Sequence, residues 1–258
     1  MQGTGPDPAE AELRRDLAAC YRLVAHFGWD DLVATHISVR LPGEDAFLIN
    51  PFGMLFDEIR PADLVKVDLD GKILSETSWP VNEAGFVIHS AIHLARHDAV
   101  CVMHLHTLDG VAVSTLEEGL LPLNQTALIV ASDIAFHDYE GIAVNREERE
   151  RLAADLGTRN LMLLRNHGTL ALAPSVAEAF ASMYMLETAC SIQVRALGMG
   201  RPIHPVKPEV VALAGAFRQG AAPRWLGTSS GRRCCASWTG SVQVGRMRSE
   251  PHAETSSG

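Results

Sequence analysis

The chain has 258 residues, of which 47% are hydrophobic and 21% charged, with a formal net charge of −9. That is enough chain for one large domain with a substantial core. The acidic balance argues against a nucleic-acid backbone as partner, and the absence of any apolar run of bilayer length argues against a membrane span. In chain order, residues 8–28 carry apolar side chains at helical spacing. Asp7-Pro8 supplies a cap and a first-turn proline, and Gly28 a stop. Residues 34–41 and 46–50, parted by Pro42-Gly43, read as an antiparallel hairpin. Residues 64–69 and 72–74, joined by Asp70-Gly71, read as another. A helix is predicted over 84–95, then a buried strand from Ala99 that runs into His104 and His106. A short helix near 109–114 follows, then a strand near 134–136. Asn145 is predicted to cap a helix through Leu156. Strands at 161–165 and 169–173 flank His167, and a helix capped by Ser175 spans 175–197, ended by Gly198.

Hairpins mixed with helices predict a three-layer α/β/α sandwich with a mixed, largely antiparallel central sheet, not a doubly wound parallel one. The domain is expected over 1–220. Residues 221–258 form a Ser-, Gly- and Arg-rich tail without a periodic apolar face, expected to be disordered. The N-terminus lacks a basic segment followed by an apolar one, so no secretory signal is expected. Five cysteines without C-x-x-C spacing fit a reducing, cytoplasmic compartment, with Cys101 and Cys190 as buried thiols.

Three histidines carry the chemistry. Alternate residues of a strand share a face, so His104 and His106 aim two imidazoles at one point. His167 ends a second apolar run, and Gly168 would allow a sharp backbone turn there. Three imidazoles with open positions make a catalytic divalent-metal site: zinc first, iron(II) or manganese(II) as alternatives. The competing reading is three unrelated structural histidines, and it holds if the fold keeps the segments apart. His89, His93 and His97 share one helical face. They read as residues of the helix–sheet boundary or of the solvent face, with a second metal site as the alternative. His36 and His137 read as locally hydrogen-bonded, with a substrate-facing role as the alternative. Arg165 and Asn166 read as supports of the His167 loop.

Four stretches, taken in order, resemble the class II aldolase/adducin family. They are Asn82-Glu83-Ala84-Gly85-Phe86-Val87-Ile88-His89, Val102-Met103-His104-Leu105-His106-Thr107, Phe136-His137-Asp138-Tyr139-Glu140-Gly141-Ile142 and Leu164-Arg165-Asn166-His167-Gly168. The likeness covers about residues 10–200 and is nearer to the adducin head and its bacterial relatives than to sugar-phosphate aldolases. The resemblance implies zinc held by three histidines, matching His104, His106 and His167, and a homotetramer with sites near subunit interfaces. It also implies a glutamate ligand that helps in proton transfer, but the matching position is Gly85. Glu83 lies two residues earlier, rotated by roughly 200° around a helix. The phosphate-gripping residues of the aldolases are replaced by Thr35-His36 and Glu83-Ala84. A carboxylate there repels phosphate, so the expected substrate is a small, non-phosphorylated hydroxycarbonyl compound. Of the tyrosines Tyr21, Tyr139 and Tyr184, Tyr139 lies in a loop that could approach the metal. Candidate acids and bases are Glu83, His137, Asp138 and Tyr139, with Glu83 and Tyr139 put forward as catalytic. Glu83 also reads simply as a favourable charge in a first helical turn.

The leading expectation is a metal-dependent lyase of the class II aldolase type, acting by retro-aldol cleavage or decarboxylation through an enediolate. An adducin-head-like interaction module and a non-haem iron oxygenase on the same three histidines are the alternatives. Converged imidazoles weigh against a purely structural role.

Overall fold

A computed structural model of the chain describes residues 7–142 and 145–220, with side chains as far as 214. The expected tail at 221–258 lies outside the described residues. Seven strands form one sheet: β1 (His36–Arg40), β2 (Ala46–Ile49), β3 (Val65–Asp68), β4 (Cys101–Leu105), β5 (Ile134–His137), β6 (Leu161–Leu164) and β7 (Gly168–Ala173). Their order is β3-β2-β1-β4-β7-β6-β5. Every neighbouring pair is antiparallel except β5–β6. The sandwich with a largely antiparallel mixed sheet is the architecture expected.

The helices are α1 (Pro8–His26), α2 (Glu83–Ala95), α3 (Leu108–Ser114), α4 (Gln125–Ala131), α5 (Glu148–Leu156), α6 (Val176–Gly198) and α7 (Pro208–Gly220). Strand alternation sorts the core into two faces. Ile37, Val39, Met103, Leu163 and Ala171 pack with residues of α1, α3, α4 and α6. Val102, Met162, Leu164, Leu170 and Leu172 pack with Ile88 and Ile92 of α2 and with Leu152 and Leu156 of α5. Phe47, Ile49, Val65 and Val67 close the other end of the sheet against Phe86 and Val87 of α2.

Four local readings are revised. The second hairpin shrinks to β3 and a single bridge, Val67 to Ile73. The helix assigned to an Asn145 cap begins at Glu148, after a turn in which the Asn145 side chain accepts from Glu147 N–H. Helices α4 and α7 had not been anticipated. The strand carrying His104 stops at Leu105, so His106 stands just past its end. Cys20, Cys101 and Cys190 are buried thiols, not disulfides. Among the described residues no helix is long and apolar enough to cross a membrane.

Candidate metal centre

Strands β4 and β7 are neighbours, with Leu105 opposite Thr169. Their register brings the end of β4 to the β6–β7 turn. His104 lies in β4, and His106 enters the turn to α3, whose N-terminus Thr107 caps by accepting from Gly110 N–H. In the β6–β7 turn the left-handed residue is Asn166, at φ 57°, a conformation that asparagine tolerates. Gly168 serves a different purpose from the sharp turn expected of it. A Cβ there would stand 2.3 Å from the Leu105 carbonyl oxygen and 3.1 Å from Cδ2 of His106. The glycine lets β7 approach β4 closely enough for His167 to join the other two rings. Arg165 supports the turn, donating to the carbonyls of Leu116 and Glu117 and covering the Phe136 ring at 4.2 Å. The supporting role expected of Arg165 is thus seen in side-chain contacts, while Asn166 contributes its backbone N–H to the Ser114 carbonyl.

The three imidazoles converge through Nε2. Nε2 of His104 is 2.9 Å from Nε2 of His106 and 3.3 Å from Nε2 of His167. One ligand atom from each residue lies within 4.8 Å of the others, the only such cluster among the described residues. Zinc–nitrogen bonds of about 2.0–2.1 Å, at angles between 90° and tetrahedral, hold nitrogens about 2.9–3.4 Å apart.

The outer nitrogens decide the protonation. Nδ1 of His104 is 3.0 Å from the Thr169 carbonyl, and Nδ1 of His106 is 3.1 Å from Asp31 Oδ2. Carbonyl and carboxylate oxygens only accept, so both Nδ1 atoms carry the hydrogen. In the neutral rings the two Nε2 atoms then meet as lone pairs at 2.9 Å. Two lone pairs repel at that distance, and a cation between them removes the conflict. Burial and the neighbouring imidazoles push His104 well below the usual histidine range, and His167 down to about 4. Both rings are therefore uncharged at neutral pH, as metal ligation requires.

Two supports had no signal in the sequence. Asp31 is an exposed loop residue far in sequence from His106. Glu187, on α6, is buried and accepts from the hydroxyls of Thr107 and of Thr169, the latter at 2.5 Å. It thereby ties the turn after His106 to the strand after His167. Burial raises its carboxyl to about 7.

The other candidates scatter. Glu83 is exposed at the first position of α2. Tyr139 is exposed, its ring centroid 6.1 Å from that of His167. Tyr21 is fully buried, its hydroxyl bonded to Ile37 and Asn50. Tyr184 stands in an aromatic group with Phe27 and Trp29. His137 is held between Asp155 (2.7 Å) and Glu148 (3.4 Å) and Asp138 is exposed. His97 is exposed, whereas His89 and His93 are buried against the sheet, as the helix–sheet reading had them.

At the position of Gly85 a Cβ would lie 2.5 Å from Cδ2 of His36. The imidazole of His36 fills the space a side chain at 85 would need.

The profile of the family described as Class II Aldolase and Adducin N-terminal domain matches residues 15–194. A Caulobacter vibrioides protein provisionally named a class 2 aldolase is 57% identical over 202 residues, 78% of this chain and 79% of its own length. Mouse alpha-adducin is 46% identical over 195 residues, 74% of this chain but only 26% of the adducin. The crystal structure of an aldolase II superfamily protein from Pseudomonas syringae superposes with a TM-score of 0.79 at 46% identity. That superposition covers 89% of this chain and 97% of the other.

Proposed function

The chain belongs to the class II aldolase and adducin family, and from that premise we propose that it is a metal-dependent lyase. It would hold a divalent cation, zinc in the first place, through Nε2 of His104, His106 and His167. The observation that carries this reading is the facing of unprotonated Nε2 atoms whose Nδ1 hydrogens are committed to Thr169 and Asp31. When bound, such a cation stabilises negative charge developing on a carbonyl oxygen. The reaction class is retro-aldol cleavage or decarboxylation through an enediolate, on a small non-phosphorylated hydroxycarbonyl compound.

The chain's own residues would do the rest. Asp31 and the Thr169 carbonyl orient two rings and fix their tautomers. Glu187 ties the turn after His106 to strand β7 through Thr107 and Thr169. We assign proton transfer to Tyr139, whose ring stands beside that of His167. Glu83, at the exposed start of α2, is the second candidate. The assembly we propose is a homotetramer, and the compartment the cytoplasm.

The test is metal analysis of protein purified without added metal, followed by a screen of hydroxyketones and β-keto acids with the loaded protein. Zinc with turnover that Tyr139→Phe lowers at least tenfold is the expected result. Iron with oxygen consumption would favour an oxygenase on the same site. A second reading rests on the mouse alpha-adducin similarity: the domain as a protein-interaction scaffold. Metal-free protein without activity would favour it.

A further inference from the structure

A second set of imidazoles, unused by the metal reading, lies between the sheet and α2. His36 and Ser38 of β1 face His89 and His93 of α2, and all four are buried. Nδ1 of His93 is 3.1 Å from the Ala99 carbonyl. A carbonyl only accepts, so this nitrogen carries the hydrogen, and Nε2 of a neutral His93 bears a lone pair. Ser38 Oγ is 2.7 Å from that Nε2, so the hydroxyl donates to it. Its single hydrogen is then spent, and Oγ accepts Nδ1–H of His89 at 2.5 Å. Nε2 of His89, left with a lone pair, accepts Nδ1–H of His36 at 2.9 Å. One proton arrangement satisfies every link, and it leaves Nε2 of His36 unprotonated.

The partners along this chain are imidazoles, a hydroxyl and a carbonyl. A second proton on any of the three rings would place a charge in the core, and on His89 or His93 it would also set two donors against each other. The nearby Arg40 guanidinium, bonded to the His93 carbonyl, adds to that cost. The chain ends beside the metal centre: His36 pairs with His104 across β1 and β4, and their ring centroids are 5.1 Å apart. The Cγ–Cδ2–Nε2 edge of His36 lies over Gly85, with Nε2 only 2.9 Å from where a Cβ would be. A larger residue at 85 would expel the ring.

We propose that this chain is a tautomer-setting device. It holds Nε2 of His36 as a hydrogen-bond acceptor for a hydroxyl of the molecule bound at the metal centre. The proposal rests on the metal reading above. His36 is the binding residue, and His89, Ser38 and His93 are positioning residues.

Two measurements test it. Long-range proton–nitrogen spectra of histidine-labelled protein report which nitrogen of each ring is protonated, and they need no variant. His36, His89 and His93 should all be protonated on Nδ1. His93→Phe removes the anchor and lets the chain reverse, so His36 should then show protonation on Nε2. The second measurement is calorimetric binding of glycolate and methoxyacetate to zinc-loaded protein. Both offer a carboxylate and an α-oxygen to the cation, but only glycolate carries a hydroxyl hydrogen. Glycolate should bind about tenfold more tightly. That preference should vanish in His36→Phe and in His93→Phe, with zinc content unchanged.

Native His36 protonated on Nε2, or equal affinities for the two acids, overturns the proposal. Failure of the metal reading is seen separately, as no zinc in the protein by mass spectrometry. The spectrum of the metal-free chain then still decides whether the chain sets the His36 tautomer.

Discussion

His104 and His167 should each be indispensable to the metal, because a three-nitrogen site that loses one nitrogen keeps too few ligands for tight binding. His104→Ala and His167→Ala are expected to lose the metal on dialysis, read by mass spectrometry. Glu83→Gln is expected to keep it, since Glu83 is exposed at the start of α2. Asp31→Asn replaces an obligate acceptor beside His106 with an amide that can also donate. Metal affinity should drop about 10–100-fold, measured by competition with a chromophoric chelator. At this scale the sequence was half legible. The His104/His106 pair showed itself through the two-residue period of a strand, and His167 through the apolar run before it. Asp31 and Glu187 stayed hidden because Asp31 meets His106 across 75 residues and Glu187 meets Thr107 across 80 and Thr169 across 18. No local pattern encodes such contacts.

Elements position the site more than their own sequences reveal. The approach of β7 to β4 depends on Gly168, where a methyl group would meet the Leu105 carbonyl oxygen, a backbone atom that cannot swing aside. Gly168→Ala should destabilise the chain by about 1–3 kcal/mol and weaken metal binding, both visible in a thermal melt with and without zinc. Helices with a clear apolar period, a serine or proline near the start and a glycine near the end, such as α1 and α6, were readable from residues alone. The seven-residue α4 was not, because its continuous apolar run over 127–131 shows no helical period. The second hairpin kept only β3 and a bridge, because β3 is an edge strand with β2 as its one full partner. The largely antiparallel sheet was legible from the hairpins. That β4 and β7 are adjacent was not, and the converging histidines depend on it.

Among the described residues, four buried histidines and the half-buried His167, all without a carboxylate counterion, set the response of the whole molecule to acid. Burial holds His36, His89 and His104 well below the ordinary range, His167 at about 4 and His93 at about 3. Each takes up a proton more readily in the unfolded chain. The unfolded state therefore binds more protons between about pH 6.5 and the lowered values, and stability falls as pH drops through that window. Glu187 acts in the opposite sense: its raised value favours the folded state at low pH, and that contribution is lost as pH rises from about 4.5 through 7. Asp16, raised by burial, adds to Glu187 in that sense, and five rings outweigh the two carboxyls. Denaturant melts of the metal-free protein should show stability falling steadily below about pH 6.5. A flat profile down to pH 5 would contradict this.

His104 in β4 and His167 in the β6–β7 turn stand 63 residues apart in the chain and meet at the β4–β7 seam. An ion seated there, as proposed, would behave as a removable cross-link, a rivet through the middle of the sheet instead of an ornament at its rim. Its grip adds to stability in proportion to the logarithm of its concentration over its dissociation constant. Chelation should therefore quicken amide exchange first at Thr169 and Leu170, while the far edge around Phe47 and Val67 keeps its protection. Withdrawing the proposed ion would then unfasten the molecule at its centre before it frayed at its margins.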